Sequence, residues 1–355
     1  MHRRHSRVGA AGASTLGLAL LAACTALNQG VRAPGDPAKP VTAVMETMVT
    51  TDSAVDADDP ELWADARDPS RALLFGTDKS NGLYVHNLDG SVRQFFPDGP
   101  LNNVDLRDGF TVAGKSYVLV AASDRRALGI RTYLLDPDTL ETKPYGLIET
   151  DIGEPYGLCL GRRGGHTYAV INNKEGVILQ VRIEASESGP VGHVERRLVV
   201  ATQPEGCVVD DEAQHLYVGE EDVAVWRFDF APESSSDPVA VARVDNWRIT
   251  ADVEGLALLN DAGRKYLIVS SQGDSTFPIF RIDGRYDYVG RFAVVDGKNI
   301  DGVTGTDGLS AWSGPIGPYP QGALAMHDDE DAPKRGQQNY KLVDWRDVKR
   351  ALGLP

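Results

Sequence analysis

The segment Asp252-Val253-Glu254-Gly255-Leu256 places a carboxylate and a glycine directly before an apolar run, and similar short contexts recur along the chain. The other five are Asp58-Asp59-Pro60, Leu101-Asn102-Asn103-Val104-Asp105, Glu154-Pro155-Tyr156-Gly157, Pro204-Glu205-Gly206 and Thr306-Asp307-Gly308. One marker was taken from each context: Asp59, Asn103, Tyr156, Glu205, Glu254 and Asp307. The successive markers are 44, 53, 49, 49 and 53 residues apart, which defines six sequence units.

Between the markers the chain has the character of β-strands. Short runs rich in β-branched and aromatic residues, such as 116–122, 167–172 and 177–183, are separated by Gly, Asp and Asn. A period of 40 to 50 residues in such a chain is typical of propeller blades with four strands each. A sandwich would not space its polar loops evenly, and a solenoid has a shorter period. We predict an all-β, six-bladed β-propeller, with the best helix candidate at 343–352.

The geometry of a propeller bears on function. Equivalent loops at one end of every blade converge on the axis, so residues some 250 positions apart in sequence can share one site. A single Asp-Gly or Glu-Gly pair is ordinarily just a turn. Six polar contexts at one period predict a common site instead.

The first residues have the pattern of an export signal. Arg3, Arg4 and Arg7 precede an uncharged apolar stretch, 8–23, which is shorter than the roughly 20 residues of a comfortable membrane span. The stretch ends in Leu21-Ala22-Ala23-Cys24, which resembles a bacterial lipobox. The resemblance implies that Cys24 is lipidated and becomes the first mature residue. The alternative is an ordinary signal peptide with an incidental cysteine.

We therefore divide the chain into a signal peptide (1–23), a lipidated cysteine with a flexible linker (24–41) and the propeller (42–355). Prolines 34, 37 and 40 favour the linker. The expected location is outside the cell, either lipid-anchored to the envelope at the outer membrane or secreted. The expected protein is a monomer that contacts membrane only through its lipid anchor.

The charge of the chain excludes some partners. The net charge is −15 at pH 7, and it becomes −18 without residues 1–23, because their three arginines are their only charged residues. An acidic surface repels phosphate backbones, which argues against nucleic acid as a partner. It is compatible with bound cations, which would reverse the local sign toward a polyphosphate.

The polar contexts, in their order and spacing, resemble those of the β-propeller phytases over residues 42–350. Further matching segments are Glu61-Leu62-Trp63, Asp210-Asp211-Glu212, Glu220-Glu221-Asp222, Ser270-Ser271-Gln272-Gly273, Asp301-Gly302 and Asn339-Tyr340-Lys341. The resemblance implies a calcium-dependent phosphomonoesterase of the 3-phytase type with several bound Ca²⁺ ions. Such an enzyme hydrolyses phytate (myo-inositol hexakisphosphate), with the calcium salt as the expected form of the substrate, to lower inositol phosphates and phosphate by attack of a metal-activated water.

The resemblance also assigns roles to residues of this chain. The implied calcium ligands are Glu46, Asp58, Asp59, Glu205, Glu221, Asp252, Glu254, Asp301 and Asp307. The implied catalytic residues are Tyr156, Glu205, Glu221 and Asp59, and the implied phosphate-binding residues are Lys79, Arg125 and Lys174. These residue types suit the chemistry, because calcium prefers oxygen ligands and cations stabilise a phosphoryl group.

Three departures from the family pattern are visible. Ser80 follows Lys79 where the family often has a second lysine, and Gly305 stands where it often has Asp. Residues 326–335 align poorly with the family's Gln-Asp-Gly stretch, and we assign no site there. Ser80 and Gly305 leave room for a phosphoesterase with another substrate.

A second alternative is a non-catalytic, calcium-stabilised binding module on the same propeller. Motifs of other hydrolases (HExxH, GxSxG, Walker A and RHG) do not occur in the sequence. The two cysteines beyond Cys24, Cys159 and Cys207, lie at the starts of neighbouring units. A disulfide between them is predicted, with two buried thiols as the alternative.

Overall fold

The computed structural model describes residues 35–48, 56–330 and 337–355. The predicted signal peptide and the lipidation site Cys24 lie outside the described residues. Two short N-terminal strands, β1 (Lys39–Thr42) and β2 (Met45–Glu46), are followed by the strands of six sheets, two of which also include β1 and β2. The prediction of an all-β, six-bladed propeller is confirmed.

Each of the first four blades is an antiparallel sheet of four consecutive strands. Blade 1 consists of β3 (Ala57–Asp65), β4 (Asp68–Asp78), β5 (Gly82–Asn87) and β6 (Val92–Phe96). Blade 2 consists of β7 (Leu101–Val112), β8 (Lys115–Asp124), β9 (Gly129–Asp136) and β10 (Glu141–Glu149). Blade 3 consists of β11 (Pro155–Arg163), β12 (His166–Asn173), β13 (Val177–Ser186) and β14 (Gly189–Val199). Blade 4 consists of β15 (Pro204–Asp210), β16 (His215–Glu220), β17 (Ala224–Asp229) and β18 (Val239–Arg243).

The last two blades each recruit an N-terminal strand. Blade 5 consists of β19 (Val253–Asp261), β20 (Arg264–Ser271), β21 (Phe277–Arg281) and β22 (Asp287–Val295), with a 3₁₀ turn at Gln272–Asp274 and β1 added in parallel to β22. Blade 6 consists of β23 (Leu309–Ser313), β24 (Gly322–Asp328) and β25 (Asn339–Asp344), and β2 completes it by pairing antiparallel with β25. The chain therefore closes its ring with strands from both ends.

The innermost strand of every blade is the one that carries a sequence marker. Five markers lie within the first residues of β3, β7, β11, β15 and β19, and Asp307 lies two residues before β23. These strands contact one another in succession, and β23 contacts β3. The six polar contexts are therefore brought to one end of a closed ring, as the spacing predicts.

The hydrophobic core is divided among the blade interfaces. Six clusters of buried side chains each combine residues from two neighbouring blades, for example Trp63 and Phe75 of blade 1 with Tyr133 of blade 2. Both faces of a blade are thus covered, which explains why β8 has an unbroken buried run instead of alternation. A blade cannot bury its apolar faces alone, so the blades depend on their neighbours.

Residues 39–41, which we predicted to be linker, form part of β1. Asp36 is also held, since the Tyr288 hydroxyl donates to its carboxylate at 2.7 Å. Pro40 is tolerated because β1 lies at the edge of its sheet, where a missing N–H costs no ladder bond. The structured body therefore begins before residue 42.

The C-terminal helix α1 (Trp345–Leu352) begins two residues later than predicted. Val343 instead pairs with Leu324 in blade 6. The Asp344 carboxylate accepts a hydrogen bond from the Arg346 amide, which caps the helix, and Gly353 ends it in a left-handed conformation.

Candidate active site

Three glutamates from two neighbouring blades meet at the marker end of the propeller. Glu205 lies in β15, Glu221 directly follows β16, and Glu254 lies in β19. Each offers a carboxylate oxygen, and these oxygens lie within 4.8 Å of one another. The Oε2 atom of Glu254 is buried and accepts no hydrogen bond within the described part of the chain.

The electrostatics of this group favour a bound cation. Burial raises the pKa of Glu221 to about 7. Burial, and then neighbouring carboxylates, raise the pKa of Glu205 and place that of Glu254 well above its usual range. Carboxylates this close disfavour one another's ionised form, and a divalent cation with oxygen preference would relieve the repulsion. The donor set and the unsatisfied Glu254 oxygen therefore fit a metal ion.

Lys79 lies between two of the predicted ligands. Its Nζ is 2.8 Å from Asp58 Oδ1 and 3.3 Å from Asp307 Oδ2. Burial raises the pKa of Asp58 to about 7 and that of Asp307 to about 6, although Lys79 acts against both shifts. The Oδ2 atom of Asp58 is also buried without a hydrogen bond from the described residues. Lys79 is thus a largely buried cation that forms ion pairs with these carboxylates.

Asp59 lies deeper, where the inner strands of blades 6, 1 and 2 meet. The Val104 amide donates to its Oδ2 at 2.9 Å, and burial places its pKa well above the usual range. A Cβ added to Gly308 would lie 2.2 Å from Asp59 Oδ1, so the glycine of Thr306-Asp307-Gly308 is needed for this close approach.

Tyr156 carries two cations on its ring. Lys174 Nζ lies 4.1 Å from the ring centroid and the Arg125 guanidinium carbon lies 6.0 Å from it. Arg125 Nε also donates to Glu154 at 2.8 Å. Burial and the nearby Glu205 raise the pKa of Tyr156, so its phenol stays protonated. The structure brings these three residues together beside the glutamate group.

Asp252 lies at the margin of the glutamate group. Burial and then the charge of Asp222 raise its pKa, and Asp252 in turn raises the pKa of Glu221. Its carboxylate therefore belongs to the same acidic surroundings as the three glutamates.

The two remaining predicted ligands, Glu46 and Asp301, surround a different side chain. Lys341, which is fully buried, places its Nζ 3.2 Å from Glu46 Oε2, 2.6 Å from Asp301 Oδ1 and 2.9 Å from Asp328 Oδ2. Asn339 Oδ1 accepts a further bond from this ammonium at 3.1 Å. Two of the nine predicted ligands therefore lie in this cluster, which we call the Lys341 cluster, and the other seven lie in or beside the glutamate group.

Several supporting residues were missing from the sequence prediction. Asn102 Nδ2 donates to Glu205 Oε1 at 2.8 Å, Gln203 Nε2 donates to Glu221 Oε1 at 2.5 Å, and Gln272 Nε2 donates to Asp307 Oδ1. The Asp307 amide donates to His327 Nδ1, and burial lowers the pKa of His327 to about 4. Asn102 and Gln272 lie inside segments that the sequence singled out, but only their neighbours were assigned roles.

A disulfide joins Cys159 to Cys207. It links β11 to β15, the inner strands of blades 3 and 4, within three residues of Tyr156 and two of Glu205. The bond closes a sequence separation of 48 residues.

Comparison with known proteins gives the family. The family model described as Phytase matches residues 10–354. The chain belongs to the phytase family. A 3-phytase of Bacillus subtilis (strain 168) is 36% identical over 326 residues, which cover 88% of this chain and 85% of that protein.

Two solved structures resemble this phytase more distantly. The crystal structure of BBS1N in complex with ARL6DN is 12% identical, covers 87% of this chain and 98% of its own, and has a TM-score of 0.45. A protein of unknown function from Bacteroides caccae is 13% identical, covers 68% of this chain and 82% of its own, and has a TM-score of 0.44. Neither likeness carries an argument about function.

As a member of this family the chain is a phosphoric monoester hydrolase with a small-molecule substrate. The family assignment sets the non-catalytic alternative aside. Within the described ranges no helix is long and apolar enough to cross a membrane.

Proposed function

We propose that this phytase hydrolyses phytate to lower inositol phosphates and phosphate with calcium ions held by the carboxylates at the marker end of the propeller. The observation that carries the proposal is the meeting of Glu205, Glu221 and Glu254 within 4.8 Å, with a buried and unsatisfied oxygen on Glu254. An all-oxygen donor set suits calcium, which is a hard cation.

The proposed ligands form two groups. Glu205, Glu221 and Glu254 form the first, with Asp58, Asp59, Asp252 and Asp307 beside them. Glu46 and Asp301 form the second, in the Lys341 cluster. When bound, calcium supplies positive charge for the phosphate oxygens and activates a water for attack on phosphorus.

The cations of the chain bind and orient the substrate in this proposal. Lys174 and Arg125 lie over the ring of Tyr156, and Lys79 contacts Asp58 and Asp307. These three cations are the proposed contacts of the substrate's phosphate groups. The proposed catalytic group is Asp59, Tyr156, Glu205 and Glu221, and its support is that, besides burial, the charge of Glu205 raises the pKa of the other three.

We also propose that the protein is exported as a monomer and anchored through a lipid on Cys24. The support for export and for the lipid anchor is the sequence of residues 1–24 alone. Detergent phase partitioning tests it, because the lipidated protein enters the detergent phase and Cys24→Ser stays in the aqueous phase. A wild-type protein that stays aqueous contradicts the anchor.

Phosphate release from phytate, measured across a calcium titration and in chelator, tests the central proposal. Chelator should abolish activity and added calcium should restore it. Glu254→Gln should lower kcat/KM by about 100-fold, since one lost electrostatic group in an active site costs this much. Glu187 is an exposed residue in the turn between β13 and β14. Glu187→Gln is therefore the matched control and should not change the rate.

Two outcomes would contradict the proposal. Full activity in excess chelator would exclude calcium. Faster turnover of nucleotides or sugar phosphates than of phytate would favour the other candidate, a phosphoesterase whose substrate choice is altered by Ser80 and Gly305.

A further inference from the structure

The loop 304–308, which carries Asp307, is held by the end of β24. The Thr304 amide donates to Asp328 Oδ1 at 2.9 Å, and the Asp329 amide donates to the Thr304 carbonyl at 2.9 Å. The His327 amide donates to the Gly308 carbonyl at 3.1 Å. These bonds tie both ends of the loop to three consecutive residues, 327–329.

The contact between loop and strand end is close. Gly305 has a φ of 52°, and a Cβ added there would lie 2.9 Å from the Asp329 Cβ. The loop backbone at Gly305 is therefore packed directly against the Asp329 side chain, one residue beyond the end of β24. A shift of residues 327–329 would be passed to the loop, because packed groups cannot absorb it.

His327 makes the central bond of this arrangement. Its Nδ1 accepts the Asp307 amide at 3.1 Å and lies 3.6 Å from Asp307 Oδ2. The side chain is 1% exposed, and its ring meets the Tyr340 ring edge-on at 6.4 Å. An amide donor requires a lone pair on Nδ1, so the ring proton is carried by Nε2.

We propose that His327 is a positioning residue of the phytase reaction, which sets the place of the Asp307 carboxylate through the Asp307 backbone. Asp307 Oδ2 reaches Lys79, and Oδ1 accepts from Gln272, so both partners depend on where the loop holds this residue. A misplacement of about 1 Å can cost an enzyme about 100-fold in rate. The inference rests on the proposed role of Asp307.

Replacement of His327 by two side chains of different chemistry tests the proposal. His327→Asn keeps an acceptor near the place of Nδ1, whereas His327→Leu removes it. Leu should lower kcat/KM for phytate by about 10- to 100-fold. It should also raise the calcium concentration for half-maximal thermal stabilisation, and Asn should restore both values to within about threefold.

His86→Leu is the matched control, since His86 is equally buried but lies in β5 of blade 1. It should lower the melting temperature without changing kcat/KM or the calcium response. Wild-type values for a folded His327→Leu, or an Asn variant as impaired as the Leu variant, would overturn the proposal.

Nitrogen NMR of the wild-type imidazoles tests the same point without a substitution. His327 should show the tautomer with its proton on Nε2, and a proton on Nδ1 would overturn the proposal even if the Leu variant does not fold. Asp307→Asn distinguishes a wrong role for Asp307 from a wrong role for His327. Full activity of this variant means that the role of Asp307 is wrong, whereas an inactive Asp307→Asn with a fully active His327→Leu means that only the role of His327 is wrong.

Discussion

The contact between Lys174 and Tyr156 holds in place a side chain that we propose to bind phosphate. The ammonium lies 4.1 Å from the ring centroid, nearer than any other cation–aromatic pair in the described chain. The ring attracts the cation and limits its freedom, so less entropy is lost when a phosphate binds.

We predict that Lys174→Met raises KM for phytate by about tenfold and changes kcat less, because the lost charge contributes mainly to binding. Steady-state phosphate release measures both constants. Lys143→Met is the matched control, since Lys143 lies 5.0 Å over Tyr117 in blade 2, among residues that we assign to no site. A KM that rises equally in both variants would show a general charge effect instead.

At the scale of single elements, the disulfide joins the inner strands β11 and β15. Its cysteines lie three residues after Tyr156 and two residues after Glu205. A bond that closes 48 residues restricts the unfolded chain and stabilises the fold by about 2 to 4 kcal/mol. We predict that the free energy of unfolding of the Cys159→Ala/Cys207→Ala variant is lower by this amount, so that the variant unfolds at a lower denaturant concentration. Denaturation of the wild type with and without reductant gives the comparison, and equal midpoints in all three samples would contradict it.

Strand β2 has only two residues, but blade 6 is incomplete without it. It supplies the fourth strand of blade 6, and Met45 is buried between blades 6 and 1. Without it, the edge of β25 and part of this interface are exposed to water.

We predict that a chain starting at Thr47 melts at least about 10 °C below a chain starting at Ala43, as expected for the loss of a buried Met and a strand pairing. Both chains lack β1, so the difference reports on β2 alone, and differential scanning calorimetry measures it. Because the shorter chain also lacks Glu46, Glu46→Gln in the chain starting at Ala43 serves as the control. A melting temperature of the short chain equal to that of Glu46→Gln would mean that β2 does not close the ring energetically.

At the scale of the whole molecule, the buried carboxylates connect stability to pH and calcium. Burial raises the pKa of Asp58 and Glu221 to about 7 and that of Asp307 to about 6. In the unfolded chain these groups ionise near pH 4. Through these carboxylates the folded state binds more protons between pH 4 and 7, and their contribution to its stability falls as the pH rises through this range. Burial lowers the pKa of His86 and His327 to about 4, so these two side chains act in the opposite direction between pH 4 and 6.5 and are outnumbered by the raised carboxylates.

We predict that the melting temperature in chelator decreases from pH 5 to pH 8, and that calcium reduces the decrease because it takes the place of the protons. Asp65, whose pKa is lowered to about 2 mainly by hydrogen bonds from Arg67, titrates below this window. Glu221→Gln should flatten the curve in chelator, and Glu187→Gln should not. A melting temperature that rises with pH in chelator would contradict the prediction.

Much of this architecture could be predicted from the sequence, because its signals are local. The repeated polar context before an apolar run marked the inner strand of each blade, since turn chemistry and strand propensity act over a few residues. The same markers named Glu205, Glu254, Asp59 and Asp307 before any tertiary contact was known. Ring geometry then required them to meet at one end.

Other features were decided only by tertiary structure. The sequence could not divide the predicted ligands between the glutamate group and the Lys341 cluster, because the division depends on how far apart six blades place their loops. It could not show that 39–41 join blade 5 as a strand, since a proline-rich segment has no local preference for a partner. The polar contexts therefore determined the propeller and its carboxylates, whereas closure of the ring decided which carboxylates lie together and which neutral groups hold them.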